Sequence, residues 1–170
     1  MPAGIRPTQG ILRAAIFDLL GHDIQGLTFL DLFAGSGAVG MEAVSRGAGE
    51  VTMIERDPKN ARTIRENCRL LGIDLGGEYR LLEMDVFAAV KDMAARGKQF
   101  DIVFFDPPYE RNMAKKTLKC LEAHVILHPH SFLVAQYDLT ERVDVPDGMQ
   151  IVTQRRYGSS HLTIFQKVTE

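Results

Sequence analysis

The chain lacks tryptophan altogether, has two cysteines in 170 residues, and carries almost no excess charge of either sign. Each scarcity excludes something. Cys68 and Cys120 cannot make a disulfide framework or a cysteine zinc cluster, and both fall in helix-like segments; they read as reduced thiols of a cytoplasmic protein. No apolar run approaches the roughly 20 residues that span a bilayer, and no signal-peptide pattern opens the chain. A net charge of −2 gives no global basic field of the kind that marks a nucleic-acid binder, although a local basic face is enough for one. Repeats and low-complexity stretches are absent too. What is present is 45% hydrophobic residues, enough for one core, so residues 1–170 are expected to form a single domain, with residues 1–21 as a helical segment packed on it.

Apolar runs alternate with helical periodicity along the chain. Thr8 is placed to cap a helix through Leu20, with Ile11, Ala15, Ile16 and Leu19 on one face and Gly21 as its stop. "LTFLDLF" is a short buried strand. Helical segments follow at 38–46, at 58–71 (capped by Asp57, with Pro58 in first position and Gly72 as stop), after Asp85, and at 113–123. Between them lie the strands "EVTMIE", "YRLLEM", "FDIVFF" and "SFLVAQ". Residues 149–157 and 161–167 alternate apolar and polar around Gly158, as an antiparallel hairpin does. The expected fold is α/β: a three-layer Rossmann-like arrangement around a mostly parallel seven-stranded sheet, closed by an antiparallel C-terminal hairpin.

Ligands of such sheets bind beyond the carboxyl ends of the strands, near the switch point. Asp31, Glu55, Asp85 and Asp106 each end an apolar strand. "DLFAGSGAVG" (31–40) carries Gly-x-Gly-x-x-Gly, whose glycines admit a ligand close to the backbone and a helix N-terminus. In a dinucleotide site the strand feeds almost directly into the first glycine. Here Asp31 and Phe33 intervene, and Asp31 would aim a second negative charge at a pyrophosphate, which disfavours a Rossmann oxidoreductase. A carboxylate there suits a cationic group, such as the α-ammonium of S-adenosylmethionine (AdoMet). Gly35 and Gly37 then admit the cofactor, Glu55 accepts from the ribose hydroxyls, and Asp85, with Val86 beside it, serves the adenine. A helix cap is the plainer role for Asp85, and the two are compatible.

The fourth strand ends in Asp106-Pro107-Pro108-Tyr109. Proline stops the ladder and restricts its neighbour, so the Asp106 carboxylate and the Pro107 carbonyl can be fixed facing the cleft. A planar exocyclic amine, as on guanine or adenine, is a poor nucleophile because its lone pair is delocalised. Two fixed acceptors can take its two N–H bonds and aim the nitrogen at a methyl sulfonium, a catalysis of positioning and electrostatics. Tyr109 offers a face for stacking the base.

With these residues in view, the chain resembles the RsmD-like 16S ribosomal RNA guanine-N2 methyltransferases. The resemblance runs from "RPT" (6–8) through "FDLL", "DLFAGSGAVGMEAVSRGA", "ERD", "FDIVFFDPPY" and "YGSSHLTIF". It implies AdoMet as methyl donor, a guanine amino group in small-subunit RNA as acceptor, and ribosomal RNA within a small-subunit particle as partner. By it, Asp31, Gly35, Gly37, Glu55 and Asp85 match the cofactor positions, and Asp106 to Tyr109 the catalytic motif. There are departures. Five residues precede Arg6 where the family usually has a basic extension. Gln9-Gly10-Ile11-Leu12-Arg13 carries fewer charges than the usual segment, and Gln136 stands where an acid is frequent.

Candidate RNA contacts are Arg6, Thr8 and the cluster Lys115, Lys116 and Lys119 just after the motif. Arg62, Arg65 and Arg69 share a helix face and read as a solvated surface. His124, His128 and His130 are interrupted by Pro129 and joined by no acid at zinc spacing, so no metal is expected. The expected activity is AdoMet-dependent methylation of a guanine in ribosomal RNA. The alternatives are transfer to another planar amine, DNA adenine or protein glutamine, and an AdoMet-binding RNA accessory protein without catalysis.

Overall fold

The computed structural model describes residues 9–21, 23–110 and 112–168. Arg6 and Thr8, with the cap expected of Thr8, lie outside them. In chain order the elements are α1 (Gln9–Leu19), β1 (Thr28–Leu32), α2 (Ala38–Ser45), β2 (Glu50–Ile54), α3 (Pro58–Leu71), β3 (Tyr79–Leu82), α4 (Val86–Ala95), β4 (Phe100–Phe105), α5 (Met113–Ala123), β5 (Leu127–Asp138), β6 (Met149–Tyr157) and β7 (Ser160–Lys167). The seven strands form one sheet in the order β3-β2-β1-β4-β5-β7-β6. The first five are parallel, and β7 joins β5 and β6 antiparallel. This is the expected fold. β5 is longer than its apolar run "SFLVAQ" at both ends, because Leu127 pairs with Phe100 of β4 and the pairing with β7 continues to Asp138.

Local chemistry sets the helix ends. Asp57 accepts a hydrogen bond from Lys59 N at the start of α3, and Gly72, at φ 73°, stops it. Asp85 caps α4 by accepting from Ala88 N. Side chains alternate across the strands and build two cores. Leu30, Leu32, Val103 and Phe105 face α4 and α5. Phe29, Met53, Ile102 and Phe104 face α1, α2 and α3. Parity puts Asp31 on the second face, among apolar neighbours.

α1 packs on that face, but rotated from the expectation. Leu12, Ala15, Ile16 and Phe17 are buried, whereas Ile11 is 56% exposed. Two apolar stripes one residue apart compete on this helix. The stripe carrying Phe17 wins, because its ring stacks on Phe29 at 6.0 Å and lies under the Arg46 guanidinium.

The sheet reverses its order between β1 and β4. Their register is pinned at the far end: Thr28 N and Oγ1 donate to Asp101 Oδ2 at 2.9 and 3.1 Å, and Asp101 N donates to Thr28 Oγ1 at 2.9 Å. Asp31 therefore sits beside Phe104 and Leu32 beside Phe105, and the chain leaves both strands together, at Phe33 and at Asp106.

Candidate functional site

Beyond the carboxyl ends of β1, β2 and β4 lie three adjoining cavities. The first, about 200 Å³, is lined by Asp31, Phe33, Gly35, Asp106 and Gln136, with α1 as its wall. The second, about 360 Å³, is lined by Phe33, Gly35, Glu55, Asp85, Val86 and Asp106. The third, about 580 Å³, lies over the "DPPY" segment and is lined by Asp106 to Glu110, with Lys115, Tyr137 and Arg142 across from them. Asp106 borders all three.

Asp31 is 1% exposed, and its Oδ2 accepts from Gly40 N at 3.1 Å. From a neighbouring strand it thus caps the first turn of α2, whose own N-cap, Gly37, has no side chain to do so. The contact requires glycine at position 40, where a Cβ would come within 2.7 Å of Met53 Cγ and 3.3 Å of Asp31 Oδ2. Burial is the main reason that the Asp31 carboxyl is pushed up from 3.8 to about 8. The Gly40 amide pulls it down, and the carboxylates of Asp106 and Glu55 raise it further.

Glu55 is also buried, and it ties the glycine loop to β2. Its Oε1 accepts from Gly35 N at 2.8 Å and its Oε2 from Asp57 N at 2.9 Å. Each oxygen keeps a second lone pair for a ligand hydroxyl. Gly35 has φ 60°, with nothing within 4 Å of where a Cβ would stand, so its bare face opens on the first two cavities. Gly37 differs. It lines neither of these cavities, and a Cβ on it would meet Met41 and Ile64 in the interior. Its part is the turn into α2.

Tyr109 is 57% exposed at the mouth of the third cavity, its ring accessible to a planar partner. Of the three lysines of α5, Lys115 alone lines this cavity; Lys116 and Lys119 are exposed elsewhere. Arg65 and Arg69 are engaged by Glu83 and Glu66, as expected of a solvated face. His124 Nδ1 contacts Cys120 O at 3.0 Å.

The sequence reading did not include Phe33's backbone or the contribution of α1. Phe33 has φ 59°, a conformation costly for a bulky residue and characteristic of functional turns. It lets the chain turn from β1 into the loop while Ala34 N donates to Ile54 O at 2.9 Å. No residue type signals this. Leu12, Arg13 and Ile16 of α1 line the first cavity. Periodicity marks such residues as a packing face, with nothing to say that the face also closes a ligand site.

The model of the family described as conserved hypothetical protein 95 matches residues 1–166. A protein of Buchnera aphidicola subsp. Acyrthosiphon pisum named ribosomal RNA small subunit methyltransferase D is 32% identical over 142 residues, covering 84% of this chain and 72% of its own length. A solved structure from Streptococcus pyogenes, described as a conserved hypothetical protein, is 31% identical with a TM-score of 0.81, over 91% of this chain and 94% of that one. The RNA methyltransferase of Salinibacter ruber, solved in complex with S-adenosyl-L-homocysteine, shares the fold at a TM-score of 0.72 and 17% identity, over 96% of this chain and 95% of that one. The chain belongs to the conserved hypothetical protein 95 family, which is the RsmD family its central motifs resemble.

Proposed function

We propose that the protein transfers a methyl group from AdoMet to the exocyclic amino group of a guanine in small-subunit ribosomal RNA. The observation that carries this reading is the position of Asp106 where the three cavities meet. Two of them suit a cofactor and the third a flat base, and a group that must touch both partners of a transfer belongs at that junction.

The residues fit the cofactor. Asp31 is a buried carboxyl that no cation among the described residues offsets, so burial holds it up at about 8. A cationic ligand group would relieve that state. The bare face of Gly35 admits close approach, and Glu55 and Asp85 stand in the neighbouring cavity as acceptors for hydroxyl and amino groups. Bound there, AdoMet supplies an electrophilic methyl on a positively charged sulfur.

The protein's own part is orientation. Asp106 and the Pro107 carbonyl accept the two N–H bonds of the base's amino group, which turns its lone pair out of conjugation and toward the methyl carbon. A methyl group supplied by AdoMet would be received by that nitrogen as its bond to sulfur breaks, and neutral S-adenosylhomocysteine would leave. The proton that the nitrogen then carries in excess passes to the Asp106 carboxylate and on to water. Tyr109 holds the ring flat by stacking, which contributes about 1–3 kcal/mol per base. The names of relatives, among them an rRNA small subunit methyltransferase, support ribosomal RNA as the acceptor.

The test is transfer of a tritiated methyl group to naked 16S RNA, 30S particles, DNA and bulk protein side by side, with nucleoside analysis of the product. N2-methylguanosine in RNA, lost in Asp106→Ala, supports the proposal. Label in adenine, in DNA or in glutamine assigns the acceptor to another planar amine.

A further inference from the structure

We infer that Asp138 and Ser160, across the third cavity from the "DPPY" segment, read the N1–H and the O6 of the base whose amino group Asp106 and the Pro107 carbonyl hold, and so make the site selective for guanine. The inference rests on the methyltransferase reading and gives the terminal "YGSSHLTIF" segment a part in it.

Ser160 lines the third cavity, is 2% exposed, and its hydroxyl has no hydrogen-bond partner among the described residues. A hydroxyl buried in that state is destabilising until a ligand supplies the bond. Its register partner on β5 is Asp138, which lines the same cavity. Asp138 Oδ1 accepts from Thr140 N at 2.8 Å and from Thr140 Oγ1. Glu141 Oε1 accepts from Lys115 N at 3.0 Å and ties this segment to α5. The wall opposite "DPPY" is thus held from both sides.

Alternation sets which way these groups face. Phe104, Val134 and Leu162 pack on the α1 side of the sheet, and the two-residue period carries that face to Asp106, Asp138 and Ser160. β4, β5 and β7 are neighbours in that order, about 4.8 Å apart. The cavity therefore presents two acceptors at the end of β4, a carboxylate on β5 and a hydroxyl on β7. Read from its amino group, the edge of guanine offers donor (N2), donor (N1–H) and acceptor (O6). Adenine, read from its own amino group, offers a donor, then the N1 lone pair, then a carbon. Cytosine offers a donor and two acceptors. An ionised carboxylate only accepts, so in the middle position it welcomes the N1–H of guanine and repels the ring lone pair of the other two.

The experiment begins with the guanosine that the wild type methylates in 30S particles, mapped by its label. Particles are then reconstituted with 16S RNA carrying guanosine, 2-aminopurine or 2,6-diaminopurine at that one position. All three bases have the 2-amino group, but both analogues put a lone pair in place of the N1–H, and neither has O6. Wild-type kcat/KM should favour guanosine by about 100-fold or more. Asp138→Asn should lower transfer to guanosine by about 10-fold and raise transfer to both analogues, because an amide can turn its NH2 to the lone pair. Ser160→Ala should lower transfer to guanosine by about 10-fold and leave 2-aminopurine within about twofold. S-adenosylhomocysteine affinity should be unchanged in both variants, which checks that they fold. Equal wild-type rates on the three bases, or equal losses on all three in the variants, would overturn the inference and leave the methyltransferase reading standing. A wild type that makes no N2-methylguanosine in any particle or RNA would instead remove that reading itself.

Discussion

One proton, carried by the Asp31 carboxyl, links the stability of the fold to ligand binding. Asp31 lies in a strand at a position whose neighbours are apolar, and burial, with Asp106 and Glu55 adding to it against the Gly40 amide, moves its carboxyl from 3.8 to about 8. The folded value is raised, so between those pH values the folded chain keeps a proton that the unfolded chain has lost. Stability therefore falls as pH rises through that window and levels off above it. At ~1.4 kcal/mol per pH unit, the span from 3.8 to about 8 corresponds to roughly 6 kcal/mol. That is an upper figure, yet large beside the 5–15 kcal/mol that hold a typical domain folded. Asp31→Asn keeps an acceptor for Gly40 N and removes the ionisation, so its melting temperature should vary less with pH between 5 and 8 and exceed that of the wild type at pH 8.

The same proton has to leave when a cationic group binds. With a value of about 8, roughly nine-tenths of the free protein carries the Asp31 proton at pH 7, and an ammonium beside it favours the carboxylate. Binding of S-adenosylhomocysteine at pH 7 should therefore release most of one proton. Calorimetry in several buffers of different ionisation heat reads this directly, as the slope of observed enthalpy against buffer enthalpy. Asp31→Asn should bind more weakly and with a slope near zero. Saturable binding in the wild type with no buffer dependence would mean that Asp31 is already ionised in the free protein. The reasoning from its burial would then fail.

Glu55→Ala removes the acceptor for Gly35 N and Asp57 N along with the expected ribose contact. S-adenosylhomocysteine affinity should drop by about 1–3 kcal/mol, and Glu55→Gln, which keeps one oxygen, should lose less in the same titration. Gly40→Ala places a Cβ 2.7 Å from Met53 Cγ, and denaturant melts should show it destabilised by about 1–3 kcal/mol. Tyr109→Phe should leave the KM for RNA near the wild-type value while Tyr109→Ala raises it, since stacking needs the ring; loss of activity in the Phe variant would give the hydroxyl a role. Lys115→Ala should reduce the slope of log affinity against log salt by about 0.7 if it meets one phosphate of a single strand, whereas Lys116→Ala and Lys119→Ala, away from the cavity, should leave it unchanged.

Much of the fold was legible because its punctuation is local. Asp57-Pro58 and Gly72 bracket α3 by capping chemistry that needs no tertiary contact, and Gly158 turns the terminal hairpin for the same reason. The face of α1 was legible in part. Ala15 and Ile16 are buried as expected, but periodicity does not choose between Ile11 and the pair Leu12 and Phe17 at the edges of the stripe, and only Phe29 in the sheet decides between them. The acids were legible as a set, since four strand ends each carrying one is a pattern. Their division of labour was not. Capping α2 across from β1 occupies an Asp31 oxygen, and tethering Gly35 occupies a Glu55 oxygen, through amides that only the turn of the loop brings within reach.

The same distinction explains why a motif of ten residues cannot describe the site by itself. "DLFAGSGAVG" contributes Asp31, Phe33 and Gly35, but Gly37 turns inward, and the walls that give the loop a ligand-sized space come from α1, β4 and β5. What brings them together is register. The reciprocal Thr28–Asp101 bonds lie at the opposite end of β1 and β4 from any ligand. They nevertheless set which residues leave the two strands side by side, and so they put Asp106 next to Phe33. A slip of one residue between these strands would turn either Asp31 or Asp106, whichever strand moved, to the face of the sheet where α4 and α5 pack, and separate the two. The chemistry proposed for Asp106 thus depends on a threonine and an aspartate that touch neither substrate, and no motif at the ligand end of the strands contains them.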